Sequence, residues 1–523
     1  MFLFIIFIEP LLMMIRKKTQ GFPILGLSGR PGVRQVDLFT AGRMDLFTQE
    51  DEDYVDDINI MVENPEDMLV IDKIFEQFES FSGAILNRYE KTKVMGLGRF
   101  EGRREWPLDW IKVEKSLKIF GIKHFPTYSV TLDQNWAEAV RNMEVCLNSW
   151  NTMVLNSVFQ RVELINTFVL PKWFYKAECL PLPPNWAKEI EKLVYNFIKI
   201  GHMEMMALQE MCNPVDKGGL GLVCVRSKAD SLFLKQTLRI MSQPGTLHWK
   251  YLKLFSCQQF RIGELHGPKF HTMTPYYAKM LELYHEGRLM EICYHCYCCE
   301  SVGCKDKKLN TTAKEIYRAY TDSFPPPRVE YKPEYFNISC VQWGRVWSRV
   351  SSEMLDPMAR QVVWRAIHNI LPTRQRNNRL GLAELNDARQ VASAICNRCT
   401  QRAVDSVTHM FAECGLVREA WLWVRRRVLS MLPDDMADLS NHEMIHMMFP
   451  KERQENELVW VVGSYMGWAY EEAVNKGRIL TDAHASAYFK YIWYQSRKMR
   501  MPQIVYIQGI TTDLQQNRVF DNG

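Results

Sequence analysis

The chain has 523 residues, of which 47% are hydrophobic and 24% are charged, and its formal net charge is +5 at pH 7. This composition is typical of a globular protein with several apolar cores, and it excludes a collagen-like or largely disordered chain. The small positive charge permits nucleic-acid binding without requiring it.

The chain opens with the apolar run MFLFIIFIEPLL, which Glu9 and Pro10 interrupt and which the basic residues 16–18 follow. The run is too short to span a bilayer, and it has neither the preceding charges nor the cleavage site of a signal peptide. It predicts a buried helix in a nuclear or cytoplasmic protein with no membrane partner. In a reducing compartment, the 14 cysteines are interpreted as free thiols or metal ligands rather than disulfides.

Residues 54–57 read Tyr-Val-Asp-Asp, between an acidic turn and the apolar, β-prone segment 58–62. Adjacent carboxylates at a hairpin tip repel one another, and a divalent cation between them would explain the pair. Mg²⁺ prefers carboxylate oxygens, and two such ions clamp the reacting oxygens in polymerase-type phosphoryl transfer. The pattern predicts that Asp56 and Asp57 hold Mg²⁺, and a solvated acidic turn is the structural alternative.

Apolar residues at three- and four-residue spacing predict the helices that follow. A first helix over 67–80 is expected to pack under the acidic hairpin through Leu69, Ile71, Ile74 and Phe78. Further helices are expected at Trp136–Leu155, Val158–Val169, Trp186–Ile198, Trp343–Trp347, Val362–Pro372 and, as a pair, over 455–498.

Several short motifs occur in a definite order along residues 54–222. After YVDD come SGAILN at 82–87, KTK at 91–93 and LKIFGI at 117–122. They are followed by Trp150, RVELINTFVL at 161–170, PLPPNW at 181–186 and GGLGL at 218–222. In order and spacing, this series resembles the palm and thumb of a non-LTR retrotransposon reverse transcriptase, over roughly residues 1–260 and more weakly over 340–425.

The resemblance implies a role for several residues in reverse transcription on an RNA template with a DNA primer. Asp56 and Asp57 would hold Mg²⁺, Lys91 or Lys93 would lie near the phosphates of the incoming deoxynucleotide, and Phe120 and Gly121 would form the primer grip. The first residues look like the palm helix that follows a motif which this chain lacks. The fingers and the first catalytic Asp of the family have no counterpart here, so we expect this chain alone to lack polymerase activity.

The resulting expectation is an α+β protein with a truncated right-hand polymerase palm, a helical thumb and a helical C-terminal domain with a zinc knuckle. The expected domains are a palm at 1–125, a thumb-like region at 126–260, an irregular cysteine-containing connector at 261–340, a zinc-knuckle domain at 341–450 and a C-terminal helical region at 451–523. A non-catalytic nucleic-acid-binding remnant of a transposable element is the alternative function.

Cys396, Cys399, His409 and Cys414 have the spacing of a zinc site. A Cys-x2-Cys knuckle offers two thiolates on one side of a tetrahedral ion, and a following helix offers the histidine and the third cysteine. The segment 405–414 also resembles the zinc segment of the same family, with Asp405 where that family has Glu. Four protein ligands leave no open position, so the predicted zinc is structural. Buried cysteines in a reduced core are the alternative.

Three further patterns remain open at the sequence level. The cysteine-rich stretch 293–304 fits no standard zinc spacing, which favours an insertion without metal over a second zinc site. His442, Glu443 and His446 match the HExxH pattern of a zinc metalloprotease, but Ser440 with Glu443 also forms a helix-capping pattern, and Pro450 follows. The aromatic, basic tail 488–500 fits either a nucleic-acid surface or an amphipathic helix.

Overall fold

The computed structural model describes residues 11, 14, 60, 64–96, 100–113, 115–119, 121–150, 157–199, 206–243, 275–286, 312–325, 327, 343–379, 394–430, 439–449 and 455–498. The chain divides into two compact units, Met1–Glu138 and Ala139–Gly523. The predicted limits of the five domains stay predictions. In the described part of the chain, no helix is both long and apolar enough to cross a membrane.

The described residues are mostly helical, with two small sheets, which is compatible with the predicted α+β class. In the first unit, the elements are α1 Asp67–Ser82, β1 Lys93–Val94, β2 Ile111–Lys112, β3 Leu117–Ile119 and β4 Ile122–His124, followed by the start of α2 Tyr128–Trp150. The strands β1 and β2 pair in parallel, and β3 and β4 pair antiparallel.

The second unit is built from helices. They are α3 Val158–Leu164, α4 Pro171–Cys179, α5 Pro184–Ile198, α6 Leu208–Met211, α7 Val225–Met241, α8 Pro275–Glu286, α9 Ala313–Thr321, α10 Trp343–Val350, α11 Pro357–Ile367, α12 Arg374–Arg379, α13 Arg418–Ser430, α14 Asn441–Ile445, α15 Glu455–Ala469 and α16 Asp482–Lys498. Wider π turns cover Ile165–Val169, His409–Glu413 and Tyr470–Asn475.

The core of the first unit lies along one face of α1. This face consists of Met68, Ile71, Ile74, Phe75 and Phe78. Leu11, which is helical and 1% exposed, joins the cluster, and Ile60 packs against it. The prediction for this face is wrong at Leu69, which is 40% exposed, because position 69 lies roughly 200° around the helix from position 71.

The hairpin β3–β4 is anchored to α2 by one buried amide. Asn135 is fully buried, accepts a hydrogen bond from Lys123 N at 3.0 Å and donates one to Lys123 O at 2.7 Å. The side chain thereby satisfies both backbone groups of Lys123, which would otherwise be costly to bury. Because β4 is held at this point, the turn at Gly121 has a fixed position relative to the start of α2, within the first unit.

The helix predictions are confirmed in the described residues, except that α11 ends at Ile367, before the predicted end at Pro372, and Asn369 has a positive φ of +54°. Helices α2, α3 with its π turn, α5, α10, α11, α15 and α16 occupy the predicted stretches, and residues 151–155 lie outside the described residues. The prediction of irregular structure for 261–340 is wrong over α8 and α9. A capping box between Thr312 and Glu315 begins α9. The Thr-x-x-Glu pattern in the sequence could have predicted this helix start.

The glycine-rich turn at 218–222 connects two parts of the second unit. Gly218 has φ +84°, which favours glycine. Its carbonyl accepts hydrogen bonds from Trp364 Nε1 at 3.0 Å and from His368 Nε2 at 2.8 Å. Gly219 has no room for a side chain, since a Cβ atom there would lie 1.9 Å from Asn213 O. The turn thus joins the segment 206–224 to α11.

Candidate metal centre

The first half of the cysteine cluster is a tight knuckle between two short extended segments. Ile395 and Val404 form an antiparallel bridge, and Cys396 N donates to Ala403 O at 2.9 Å. Arg402 closes the turn with φ +51°. This geometry places the Cys396 and Cys399 thiols on the same side of the turn.

The second half depends on a π turn. In an α-helix, residues five apart lie roughly 140° apart around the axis, too far for His409 and Cys414 to share one ion. The chain instead forms the wider turn His409–Glu413, in which Cys414 N donates to His409 O at 2.8 Å. Such single π turns occur frequently at functional sites. Here the turn brings Cys414 to the side of the imidazole.

The four predicted side chains converge. One ligand atom from each of Cys396, Cys399, His409 and Cys414 lies within 4.8 Å of the others, and Cys399 Sγ is 3.5 Å from His409 Nε2. The prediction that they cluster is confirmed, and their role as metal ligands stays a prediction. Three sulfurs and one imidazole nitrogen are a donor set that suits tetrahedral Zn²⁺, so the cluster could bind zinc.

Electrostatics at the cluster favour different protonation states for its members. Burial lowers the pKa of His409, which keeps the imidazole in the neutral form that ligates metals. Burial raises the pKa of Cys414 to about 12. Burial also raises the pKa of Cys399, but hydrogen bonds from the backbone of Gln401 and Gly415 and from the neighbouring thiols lower it overall. A metal would therefore have to displace a proton at Cys414.

Asp405 stabilises the knuckle through buried polar contacts. It is 1% exposed, forms an ion pair with Arg398 between the two knuckle cysteines, and accepts a hydrogen bond from Arg374 N at 2.8 Å. One carboxylate thus ties the knuckle to the start of α12. The sequence motif included this position, but this supporting role becomes visible when its partners are seen in space.

Helix α15 supports the π turn. A π turn leaves carbonyl groups without their usual helical partner. The hydroxyl of Tyr465, a fully buried side chain in α15, donates to Phe411 O at 2.7 Å. Sequence reasoning missed this residue, because nothing in the pattern of α15 distinguishes Tyr465 from an ordinary core aromatic.

A groove of about 520 Å³ borders the cluster. Its lining includes His409, Glu413, Arg418, Trp421 and Arg425. Among the described residues, His409 Nδ1 has no hydrogen-bond partner, and Glu413 Oε2 lies 4.0 Å from it. A metal-bound histidine almost always donates its other N–H to a carboxylate, carbonyl or water. Glu413 is the carboxylate positioned for that role.

The HExxH segment is used for packing. Ser440 and Glu443 form a capping box, in which the Glu443 carboxylate accepts from Ser440 N at 2.8 Å and from its hydroxyl at 2.6 Å. His446 Nδ1 donates to His442 O at 2.8 Å, and burial lowers the pKa of His446 to about 3. Glu443 is occupied by the helix cap and is not free to act as a general base. The helix is also only five residues long, so it does not provide the continuous helical scaffold of a metalloprotease.

The residues assigned to polymerase chemistry are partly outside the described residues. Asp56, Asp57 and Phe120 lie outside the described residues, as does most of the strand predicted at 58–62. The cysteine-rich stretch 293–304 also lies outside them.

The remaining assigned residues are exposed or in a turn. Lys91 and Lys93 are exposed, with Lys93 at the start of β1, and Gly121 forms the turn of the β3–β4 hairpin with φ +79°. Arg88 bridges Asp72 and Glu79, each at 2.7 Å, and so fixes the turn before Lys91.

Comparison with known proteins gives one informative similarity. No family model matches the chain. Over 252 residues, or 46% of this chain, the sequence is 23% identical to the "Transposon TX1 uncharacterized 149 kDa protein" of Xenopus laevis. The matched part spans 17% of the length of that relative. This distant similarity supports a transposon-related origin for the chain.

Proposed function

We propose that this chain derives from the RNA-directed DNA polymerase of a non-LTR retrotransposon and binds an RNA template paired with a DNA primer. In this proposal, Cys396, Cys399, His409 and Cys414 hold one structural Zn²⁺ that stabilises the C-terminal part of the binding surface. Zinc in a closed four-ligand site contributes folding free energy and takes no part in chemistry.

The convergence of the four zinc-type side chains carries the proposal. They occupy the positions that the resemblance assigns to the zinc segment, and their ligand atoms lie within 4.8 Å of one another. The distant similarity to a transposon protein points to the same origin. The β3–β4 hairpin, which turns at Gly121, provides further support because the primer grip of the family is a hairpin.

A binding assay tests the proposal. Fluorescence anisotropy with a labelled RNA–DNA template–primer should give a Kd tighter than about 1 μM at physiological salt, beyond ordinary non-specific affinity. The Cys399→Ser variant should bind at least tenfold more weakly. Cys146→Ser, which changes a cysteine of α2 outside the cluster, should bind as the unaltered chain does. Failure of the unaltered chain to bind template–primer would contradict the proposal.

Primer extension separates the polymerase from its non-catalytic alternative. In the enzymatic version, Asp56 and Asp57 hold Mg²⁺, Lys91 or Lys93 neutralises the leaving phosphate, and Phe120 with Gly121 supports the primer end. Two-metal catalysis also needs a carboxylate from a separate strand, and the resemblance assigns none. We therefore expect binding without synthesis. Synthesis that is lost in Asp56→Ala would instead establish an active polymerase.

A further inference from the structure

Helix α16 divides its aromatic side chains between two faces. Phe489 is 1% exposed and stacks on Trp423 of α13 at 5.5 Å. Tyr488 stacks on Trp468 at 4.8 Å, with an interplanar angle of 9°. Tyr491 and Tyr494 are 61% and 63% exposed. Helix α16 is therefore amphipathic, with one face in the core. Its other face carries exposed aromatic rings, which the nucleic-acid interpretation of this tail requires.

The exposed tyrosines are placed close together. They are three residues apart, which is about 4.5 Å along a helix axis, and both lie away from the face that carries Phe489. Exposed rings of this kind gain nothing from the protein core. Rings that stand one turn apart on a rigid helix can stack on successive unpaired bases.

The surroundings of these rings are cationic. Helices α13 and α16 run in the same direction. Just before the two helices begin, Leu480 N donates a hydrogen bond to Leu416 O at 2.6 Å, and within them the ring of Trp423 stacks on that of Phe489. Each helix has its acidic residue in its first turn, Glu419 and Asp482. The later parts of both helices, 420–430 and 483–498, contain no Asp or Glu.

Both helices carry exposed cations in these acid-free parts. Arg426 and Arg427 are on α13, and Lys490 on α16 is exposed, as is Arg426. Within the described residues, neither Lys490 nor Arg426 forms an ion pair. A surface with rings for bases and cations for phosphates has the charge and shape that a single-stranded nucleic acid requires.

We infer that Tyr491, Tyr494 and Lys490 on α16, together with Arg426 on the neighbouring α13, bind single-stranded nucleic acid by base stacking and phosphate contact; these four residues are here called the α16 platform. The inference deepens the proposed function, on which it rests, by assigning unpaired template to a particular helix. It differs from binding of the paired template–primer, because stacking on a helix surface requires unpaired bases.

The test measures anisotropy of the full chain with fluorescein-labelled 15-nucleotide oligo(dT) and oligo(U), which distinguish DNA from RNA. Replacing both Tyr491 and Tyr494 by Ala should weaken binding roughly 30-fold or more, since each stacked base contributes about 1–3 kcal/mol. Replacement of both by Phe keeps the rings and should stay within about threefold of the unaltered chain. Tyr175→Ala, which removes a 46% exposed tyrosine of α4, is the matched control.

Charge substitutions provide an independent readout. Lys490→Gln with Arg426→Gln should reduce the slope of log Kd against log salt by about 1.4, the value for two phosphate contacts on a single strand. A duplex of equal length should lose little affinity in the tyrosine variants, because its bases are already stacked.

The outcomes separate the inference from the proposed function. If the double Ala variant binds both oligonucleotides as tightly as the unaltered chain while template–primer binding persists, the inference is wrong and the proposed function stands. If the unaltered chain binds template–primer but neither oligonucleotide, the inference alone is wrong. If it binds neither the oligonucleotides nor template–primer, both fail. Binding to phosphatidylserine vesicles that requires the tyrosines, with no oligonucleotide binding, would also overturn the inference.

Discussion

The knuckle at 394–414 and the His442–His446 segment both have the sequence spacing of a zinc site, and they fold in opposite ways. In the knuckle, the turn at Arg402 and the π turn at His409 bring three thiols and an imidazole together. In the other segment, the carboxylate caps a helix and one histidine bonds to the backbone of the other. The difference shows that a metal pattern needs a backbone that leaves its donor atoms free.

Replacing one knuckle cysteine should have the largest effect. Cys399→Ser, or removal of zinc by a chelator, should lower the free energy of unfolding by several kcal/mol, because structural zinc binding is worth about 10–16 kcal/mol in small zinc domains. Zinc affinity should fall as pH falls, since protons compete for the thiolates. Urea unfolding with and without chelator measures the effect, and Cys146→Ser is the control. Equal stability of Cys399→Ser and the unaltered chain would contradict a structural zinc.

Loss of the buried ion pair under the knuckle should rank second. Asp405→Asn leaves Arg398 partly buried without its carboxylate, which should cost about 3 kcal/mol. Glu191→Gln removes the more exposed pair with Arg226 and should cost less than about 1 kcal/mol. Chemical unfolding of both variants compares them. Equal losses would mean that Asp405 does not support the knuckle.

The buried histidine of the second segment should make the protein acid-sensitive. The pKa of His446 falls to about 3 in the folded chain from an ordinary 6.5. The unfolded chain therefore takes up the proton first, and the free energy of unfolding should decrease as pH falls from about 6.5 towards 3. Between pH 7 and pH 5, His446 should account for about 2 kcal/mol. Urea unfolding at both pH values measures this effect. Between pH 7 and pH 5, His446→Gln should lose about 2 kcal/mol less free energy of unfolding than the unaltered chain. An equal loss in the two proteins would contradict the burial of a neutral His446.

The cap of the second segment should have the smallest effect. Glu443→Ala should cost about 1 kcal/mol through the lost capping box and should leave zinc content unchanged. Glu315→Ala removes the same feature from α9 and should cost a similar amount. Thermal unfolding and metal analysis measure both. Loss of zinc in Glu443→Ala alone would restore a metal role for the HExxH segment.

Much of the local structure was predictable because it depends on local spacing. Periodic apolar residues located most of the helices, and the Cys-x2-Cys pattern located the knuckle. The capping signal at Ser440 correctly predicted that Glu443 begins a helix.

The remaining features depend on contacts between residues distant in sequence. Asn135 satisfies Lys123, and Tyr465 satisfies a carbonyl in the π turn. Neither partner can be identified from periodicity, since each looks like an ordinary helix residue. The exposure of Tyr491 beside the buried Phe489 likewise depends on which face α13 and α15 cover.

Zinc stoichiometry tests the central claim most directly. Native mass spectrometry of the purified chain should show one Zn²⁺ per molecule. The ion should be absent from Cys399→Ser and retained in His442→Ala, because zinc is predicted at the knuckle and the histidines of the second segment are used for packing. A chain that binds no zinc, that keeps it in Cys399→Ser, or that loses it in His442→Ala would contradict the account.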